Sequence, residues 1–204
     1  MPTLLVTAFG PFPGAPENPT AEIVACLDRC WRTRFACAGV RLATAVLPVV
    51  YDVAPELGAL LDSERPDALV HLGLASRRPR VCVETRARNA VSTIKPDASR
   101  RYAGSRALDV GDGAVRASSW NIAQLVASLR RAGVDATSSV DAGDYVCNAI
   151  YWRSLENGVA PAVFIHAPQK GRARPADVAR ALAAVLPGMM RRIARAGRRA
   201  KDIE

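Results

Sequence analysis

Val163-Phe164-Ile165-His166-Ala167-Pro168 is an apolar run that ends on a histidine and is stopped by a proline, as a buried strand would be. Ahead of it, Ala142-Gly143-Asp144-Tyr145-Val146-Cys147-Asn148 reads as the opening of a helix with a cysteine in its first turn. A helix that feeds a buried strand implies an α/β fold. In such folds helices begin, and parallel strands finish, at one edge of the sheet, where binding and catalytic groups collect. Cys147 and the strand-end His166 are therefore expected to meet without any special loop. A thiol beside an imidazole and a helix N-terminus is the physical recipe for a reactive thiolate. The pair points to hydrolysis by a cysteine nucleophile.

Outward from this core, strands and helices alternate. Leu4 to Ala8 is an apolar run closed by the turn-rich Phe9-Gly10-Pro11-Phe12-Pro13-Gly14, and Asn18-Pro19-Thr20 starts a helix with Thr20 as its expected cap. A strand over Val40 to Leu47, a helix over Ala54 to Glu64 and a strand over Ala68 to Leu72, ending at Gly73, follow. Val81 to Arg88 alternates as one strand, whereas Asn89 to Ser118 has little periodicity, and loops of that length are usually functional or mobile. Trp120 to Ala132 has helical spacing with Gly133 at its stop, Ala136 to Val140 is strand-like, and the cysteine helix extends from Asp144 to Glu156. Pro161 to His166 is the last core strand, and Pro175 opens a long amphipathic helix that Pro187 should kink or split. The pattern predicts a single three-layer α/β/α domain over residues 1–204, with a mostly parallel central sheet and a basic helical tail from about 188 to 204.

With 204 residues, half of them hydrophobic, the chain can bury a sizeable core and is not disordered. No run reaches membrane-span length, and no charged region precedes an apolar one at the N-terminus. Five cysteines without regular spacing suggest free thiols in a reducing compartment, so a cytoplasmic protein is expected, with neither a disulfide framework nor a metal site. The net charge of +9 comes mainly from arginine; the only lysines are Lys95, Lys170 and Lys201. No aromatic residues interleave the tail cluster from Arg191 to Lys201, which argues against nucleic acid as a partner.

Cys26, Cys30, Cys37 and Cys82 fit the role of small buried hydrophobes. Of the two histidines, His71 and His166, both at expected strand ends, His71 lies in the more apolar setting and is expected to be structural. An orienting carboxylate is found at Glu84, the one charge in Val81-Cys82-Val83-Glu84. Burial there is costly unless the group is paired. Pairing with His166 would fix the imidazole tautomer; a salt bridge to Arg86 or Arg88 is the alternative.

Taken together, Leu5-Val6-Thr7-Ala8-Phe9-Gly10-Pro11-Phe12 with Asn18-Pro19-Thr20, His71-Leu72-Gly73 with Glu84 and Asn89, the Cys147 block and Phe164-Ile165-His166-Ala167-Pro168 resemble, in order, the pyroglutamyl peptidase I (pyrrolidone carboxyl peptidase) family of cysteine peptidases. The resemblance runs over nearly the whole chain. It implies Cys147 as nucleophile, His166 as base and Glu84 as orienting carboxylate, acting through a thioester without metal or organic cofactor. Phe9 and Phe12 match the family's pocket aromatics, and Asn18 matches a polar residue of the same loop. The implied partners are small peptides with an N-terminal pyroglutamate, with no membrane; the family is often oligomeric, so a homo-oligomer is also an expectation.

Where the family usually has Gln-Ala-Gly-Gly-Arg, this chain has Leu74-Ala75-Ser76-Arg77-Arg78, so only the backbone of Leu74 could take the glutamine's place against substrate. Thr85 follows the glutamate where arginine is common, a family arginine falls near Ile94 with Lys95 beside it, and Pro13 replaces a glycine. These departures keep two alternatives in play: a same-fold amidase or peptidase with another N-terminal group specificity, and an inactive binding homologue. They also suggest that Arg77 or Arg78 borders the pocket and favours an acidic residue just beyond the scissile bond.

Overall fold

The computed structural model describes residues 1–156, 159–169 and 173–201. Along β1 (Thr3–Phe9), Leu4, Val6 and Ala8 join one apolar cluster while Leu5 and Phe9 join a second. This period-two alternation separates two helical layers. The first cluster is completed by α1 (Pro19–Cys26), a π-helical stretch Leu27–Trp31, α2 (Arg32–Cys37), α4 (Ile122–Arg131) and α6 (Pro175–Lys201). The second is completed by α3 (Ala54–Glu64) and α5 (Val146–Ser154). The strands between them are β2 (Arg41–Leu47), β3 (Ala68–Ala75), β4 (Val81–Glu84), β7 (Ala136–Ser139) and β8 (Ala162–Pro168), in the order β2-β1-β3-β8-β4-β7. Every pairing is parallel except β4 with β8. The three-layer α/β/α expectation with a mostly parallel sheet is met.

Several boundaries differ, each for a local reason. The expected strand Val81 to Arg88 divides at Thr85: β4 stays in the large sheet, while β5 (Arg86–Arg88) pairs with β6 (Val115–Ala117) in a two-stranded ribbon. The cap of α1 is Asn18, not Thr20; its side chain accepts from the Thr20 amide at 3.1 Å, with Pro19 in the first turn. Pro187 does not split α6. Proline leaves the carbonyl four residues earlier without its helical donor, and Arg34 Nε donates to that Ala183 oxygen at 3.0 Å. The tail is helical to Lys201, and residues 202–204 lie outside the described residues. Of the cysteines expected to be buried, only Cys82 is; Cys26 is half-buried, and Cys30 and Cys37 are exposed.

Neither histidine ends its strand: β3 runs on through Gly73 to Ala75 and β8 through His166 to Pro168. His71, mid-strand and fully buried, is bonded to side chains rather than backbone, with Nδ1 2.7 Å from Thr7 Oγ1 and Nε2 2.8 Å from Ser154 Oγ. The Ser154 hydroxyl donates to the Ile150 carbonyl, so it must accept from Nε2–H, and Nδ1 accepts from Thr7. The ring is a neutral, fully satisfied crosslink between β1, β3 and α5. Burial pushes its pKa down to about 3, against roughly 6.5 in an unfolded chain.

The sign of the linkage follows. Above pH ~6.5 neither state binds the proton. Between that pH and about 3 the unfolded chain binds it and the folded chain does not, so stability falls by up to ~1.4 kcal/mol per pH unit. The expected result is that His71→Gln destabilises the protein at pH 7 but narrows its deficit by ~2 kcal/mol at pH 5, measured by urea unfolding. An equal deficit at both pH values would show that His71 does not titrate in this way.

Candidate active site

Strand alternation puts Cys82 and Glu84 of β4, Phe164 and His166 of β8, and His71 and Gly73 of β3 on the face that α5 covers. In the antiparallel β4–β8 pair, Glu84 lies opposite Phe164 and Cys82 opposite His166. Glu84 and His166 are therefore diagonal neighbours on one face, within side-chain reach. His166 Nδ1 lies 2.8 Å from Glu84 Oε1. The glutamate is wholly buried, and a carboxylate can only accept, so Nδ1 carries the hydrogen and Nε2 is left for another partner.

The carboxylate has a second partner on the same oxygen, Arg78 Nη1 at 2.7 Å. Neither Arg86 nor Arg88 takes it: Arg86 Nε donates to the Val140 carbonyl, and Arg88 pairs with Asp141. Arg78 was expected only at a pocket rim. Its turn instead folds the guanidinium inward, where Nη1 also donates to Ser139 Oγ and Nη2 to the Asp141 carbonyl.

Cys147 is the second residue of α5. Its sulfur packs against Gly73, where an added Cβ would lie 2.9 Å from Sγ and 2.6 Å from Phe164 Cζ. That close approach is why the strand carries glycine here. The route to this position differs from the simple edge rule. β7 runs with β4 and against β8, so residues 140–145 must carry the chain back to the edge where β8 finishes. This connector is pinned: Gly143 turns at φ +85°, its amide donates to Asp141 Oδ1, and the Asp144 carbonyl accepts from the Ser92 amide at 2.7 Å. Asn148 fixes the helix itself, accepting from the Arg88 amide and donating to the carbonyls of Arg88 and Ala90.

The expected standing thiolate is not what this environment favours. Burial first, then the negative Glu84, pushes the Cys147 thiol up to about 12. A thiol raised in this way can pass its proton to an imidazole as it attacks. Tyr145 precedes the helix with extended backbone and supplies no side-chain cap, so first-turn amides stand at the same wall.

Cys147 and His166 line one cavity of ≈ 530 Å³, together with Phe12, Leu74, Arg77, Arg78, Lys95 and Tyr145 among others. Phe9 and Asn18 are not among its lining residues. Phe9 is buried in the cluster against which Phe12 and Cys147 pack, and Asn18 Nδ2 donates to the Gly10 carbonyl besides capping α1. Tyr145 was not singled out from the sequence as a pocket residue. Its ring meets Phe12 (centroids 6.3 Å) and Tyr51 (5.5 Å), and its hydroxyl donates to the Pro96 carbonyl. An aromatic placed two residues before a helix-start nucleophile was the available signal. Lys95 is held by Asp144 at 2.6 Å, and Ile94 points to solvent. Among the described residues no cluster of three metal-ligating side chains occurs, and no helix is long and apolar enough to cross a membrane.

Comparison with known proteins points the same way. The model of a family described as pyroglutamyl peptidase matches residues 2–189. The chain is 33% identical over 212 residues to pyrrolidone-carboxylate peptidase 1 of Ralstonia nicotianae, covering 100% of this chain and 96% of that protein. It is 35% identical over 169 residues to the pyrrolidone-carboxylate peptidase of Chromobacterium violaceum, covering 82% and 78%. Among solved structures, pyrrolidone carboxyl peptidase from Thermus thermophilus superposes with a TM-score of 0.77 at 30% identity, covering 90% of this chain and 98% of that one. The corresponding enzyme of Pyrococcus furiosus gives 0.82 at 25%, covering 94% and 99%.

Proposed function

We propose, from the premise that this chain belongs to the pyroglutamyl peptidase family of cysteine peptidases, that it hydrolyses the amide bond after an N-terminal pyroglutamyl residue through Cys147, His166 and Glu84. The observation that carries this reading is the buried Glu84–His166 hydrogen bond of 2.8 Å beside the cavity that also holds Cys147. It orients the imidazole with Nε2 free to act as a base.

In the proposed reaction the Cys147 sulfur attacks the pyroglutamyl carbonyl carbon as its proton passes to His166 Nε2. The tetrahedral oxyanion draws on amides at the start of α5. The imidazolium then protonates the departing amine as the C–N bond breaks, leaving a thioester. Water, deprotonated by His166, adds to the thioester and expels the Cys147 sulfur, which regains its proton. A flat, uncharged lactam suits the ring of Phe12, with Tyr145 and Leu74 beside it; Phe9 and Asn18 support that wall from behind. The test is hydrolysis of a pyroglutamyl chromogenic amide against its prolyl and glutaminyl analogues. Turnover of the pyroglutamyl compound alone supports the reading; equal turnover of the prolyl amide would favour the altered-specificity alternative.

Specificity beyond the scissile bond is assigned to Arg77. Arg78 is committed to Glu84, whereas Arg77 is exposed at the cavity and has no ion-pair partner among the described residues. A pyroglutamyl-Asp peptide should therefore be preferred over pyroglutamyl-Lys at low salt. Arg77→Gly should reduce that ratio of kcat/KM by no more than ~5-fold, because exposed pairs are worth under ~1 kcal/mol. An unchanged ratio would remove Arg77 from specificity.

A further inference from the structure

We propose that Arg78 is a positioning residue of the catalytic apparatus, resting on the Cys147–His166–Glu84 reading above: it holds Glu84 as a carboxylate aimed at His166 and ties it to the connector that delivers Cys147. The two partners of Glu84 meet on one atom. Oε1 receives both Arg78 Nη1 and His166 Nδ1, while the buried Oε2 has no partner among the described residues. An imidazole alone is a poor counter-ion for a carboxylate with no exposure to water, because the pair could share its proton instead of staying oriented. A guanidinium cannot give up its proton, so it keeps the carboxylate ionised. The same guanidinium reaches Ser139, which lies beside Glu84 in the β4–β7 register, and the Asp141 carbonyl at the start of the connector. One side chain thus links the strand carrying the carboxylate to the segment leading to the nucleophile.

The link also has an electrostatic consequence. Once His166 takes the thiol proton, imidazolium and guanidinium are like charges on one oxygen. Glu84 Oε1 is then the one anion between two cations, and it holds both in place through the proton transfer. The other titratable side chains around the pair are Cys82 on β4 and Cys147 and Tyr151 on α5, and none of them is a cation. The neighbouring cations Arg88 and Lys95 are paired with Asp141 and Asp144, and Arg77 faces solvent.

The experiment measures kcat and KM on a pyroglutamyl amide. Arg78→Gln should lower kcat ~10- to 100-fold, the range typical of partners that orient a catalytic group, with little change in KM. Arg78→Lys should restore part of kcat. Since Arg78 acts through Glu84, adding Arg78→Gln to Glu84→Gln should cost less than ~3-fold more. If Arg78→Gln does not fold, the lysine variant decides: reduced kcat at unchanged KM supports the role, and parent-like kcat overturns it. A kcat of Arg78→Gln that tracks only the folded fraction also overturns it. Such a result beside an inactive Cys147→Ala enzyme defeats this proposal alone; an active Cys147→Ala enzyme defeats the reading of the site.

Discussion

Replacing Cys147 with alanine should remove hydrolysis of pyroglutamyl amides, lowering kcat by ~10⁴-fold or more, as loss of the nucleophile does in enzymes that act through a covalent intermediate. The fold should survive. The sulfur sits against Gly73 and the tip of Phe164, and trading a thiol for a methyl there changes packing by ~1 kcal/mol or less. The loss is total in this reading because nothing else near His166 can attack: Cys82 shares its face but belongs to a buried strand and does not line the cavity. Steady-state kinetics and a urea titration on the same preparation check both halves. Residual turnover above ~1% of the parent in a folded, homogeneous sample would exclude Cys147 as the nucleophile.

Comparable in size is the effect expected at His166, and here the two histidines separate cleanly. His166→Ala should reduce kcat by ~10³- to 10⁴-fold, since neither the thiol nor the departing amine has another proton partner. With the thiol at rest pushed up to about 12, the base is needed for the first step as well as the last. Glu84 keeps Arg78 as its ion-pair partner, so the variant should fold, with a stability loss of ~1–3 kcal/mol from the lost hydrogen bond to a buried charge. His71→Gln should do the reverse, weakening the crosslink among Thr7, Ser154 and β3 while leaving kcat near the parent value. An active His166→Ala beside a stable but inactive His71→Gln would invert the assignment.

The architecture was legible in the chain because a strand repeats every two residues and a helix about every three and a half, and both patterns survive without long-range information. His166 and Glu84 stood out for another reason: each is a titratable residue in an apolar run, and burial forces such groups to find partners, whereas Cys147 stood out by its place in the first turn of a helix. What stayed hidden depends on contacts between distant segments. The inward turn of Arg78 needs Glu84, Ser139 and Asp141 to be neighbours, which local sequence does not encode. The unbroken helix through Pro187 needs Arg34, far away in sequence, to satisfy the Ala183 carbonyl. Likewise the division at Thr85 reflects a ribbon partner, Val115–Ala117, inside a stretch with no periodicity of its own. The burial that disfavours a thiolate at Cys147 is a property of the assembled face, not of the helix start.

The place of β8 in the sheet has a bearing on how the molecule is made. It is the last of the sheet's described strands in chain order, yet it lies between β3 and β4. During synthesis the earlier strands can gather only into two separate halves, β2-β1-β3 and β4-β7, each with one edge, β3 or β4, left open for β8. Joining them waits until Ala162–Pro168 has left the ribosome, and that same segment brings His166. Nascent chains therefore hold Cys147 and Glu84 without His166. On the proposed triad, proteolytic competence arrives in one step with closure of the sheet, and an unfinished copy is not a partly active peptidase but an inert one. The exposed strand edges, rather than stray cleavage, are then the hazard that the folding chain presents to its surroundings.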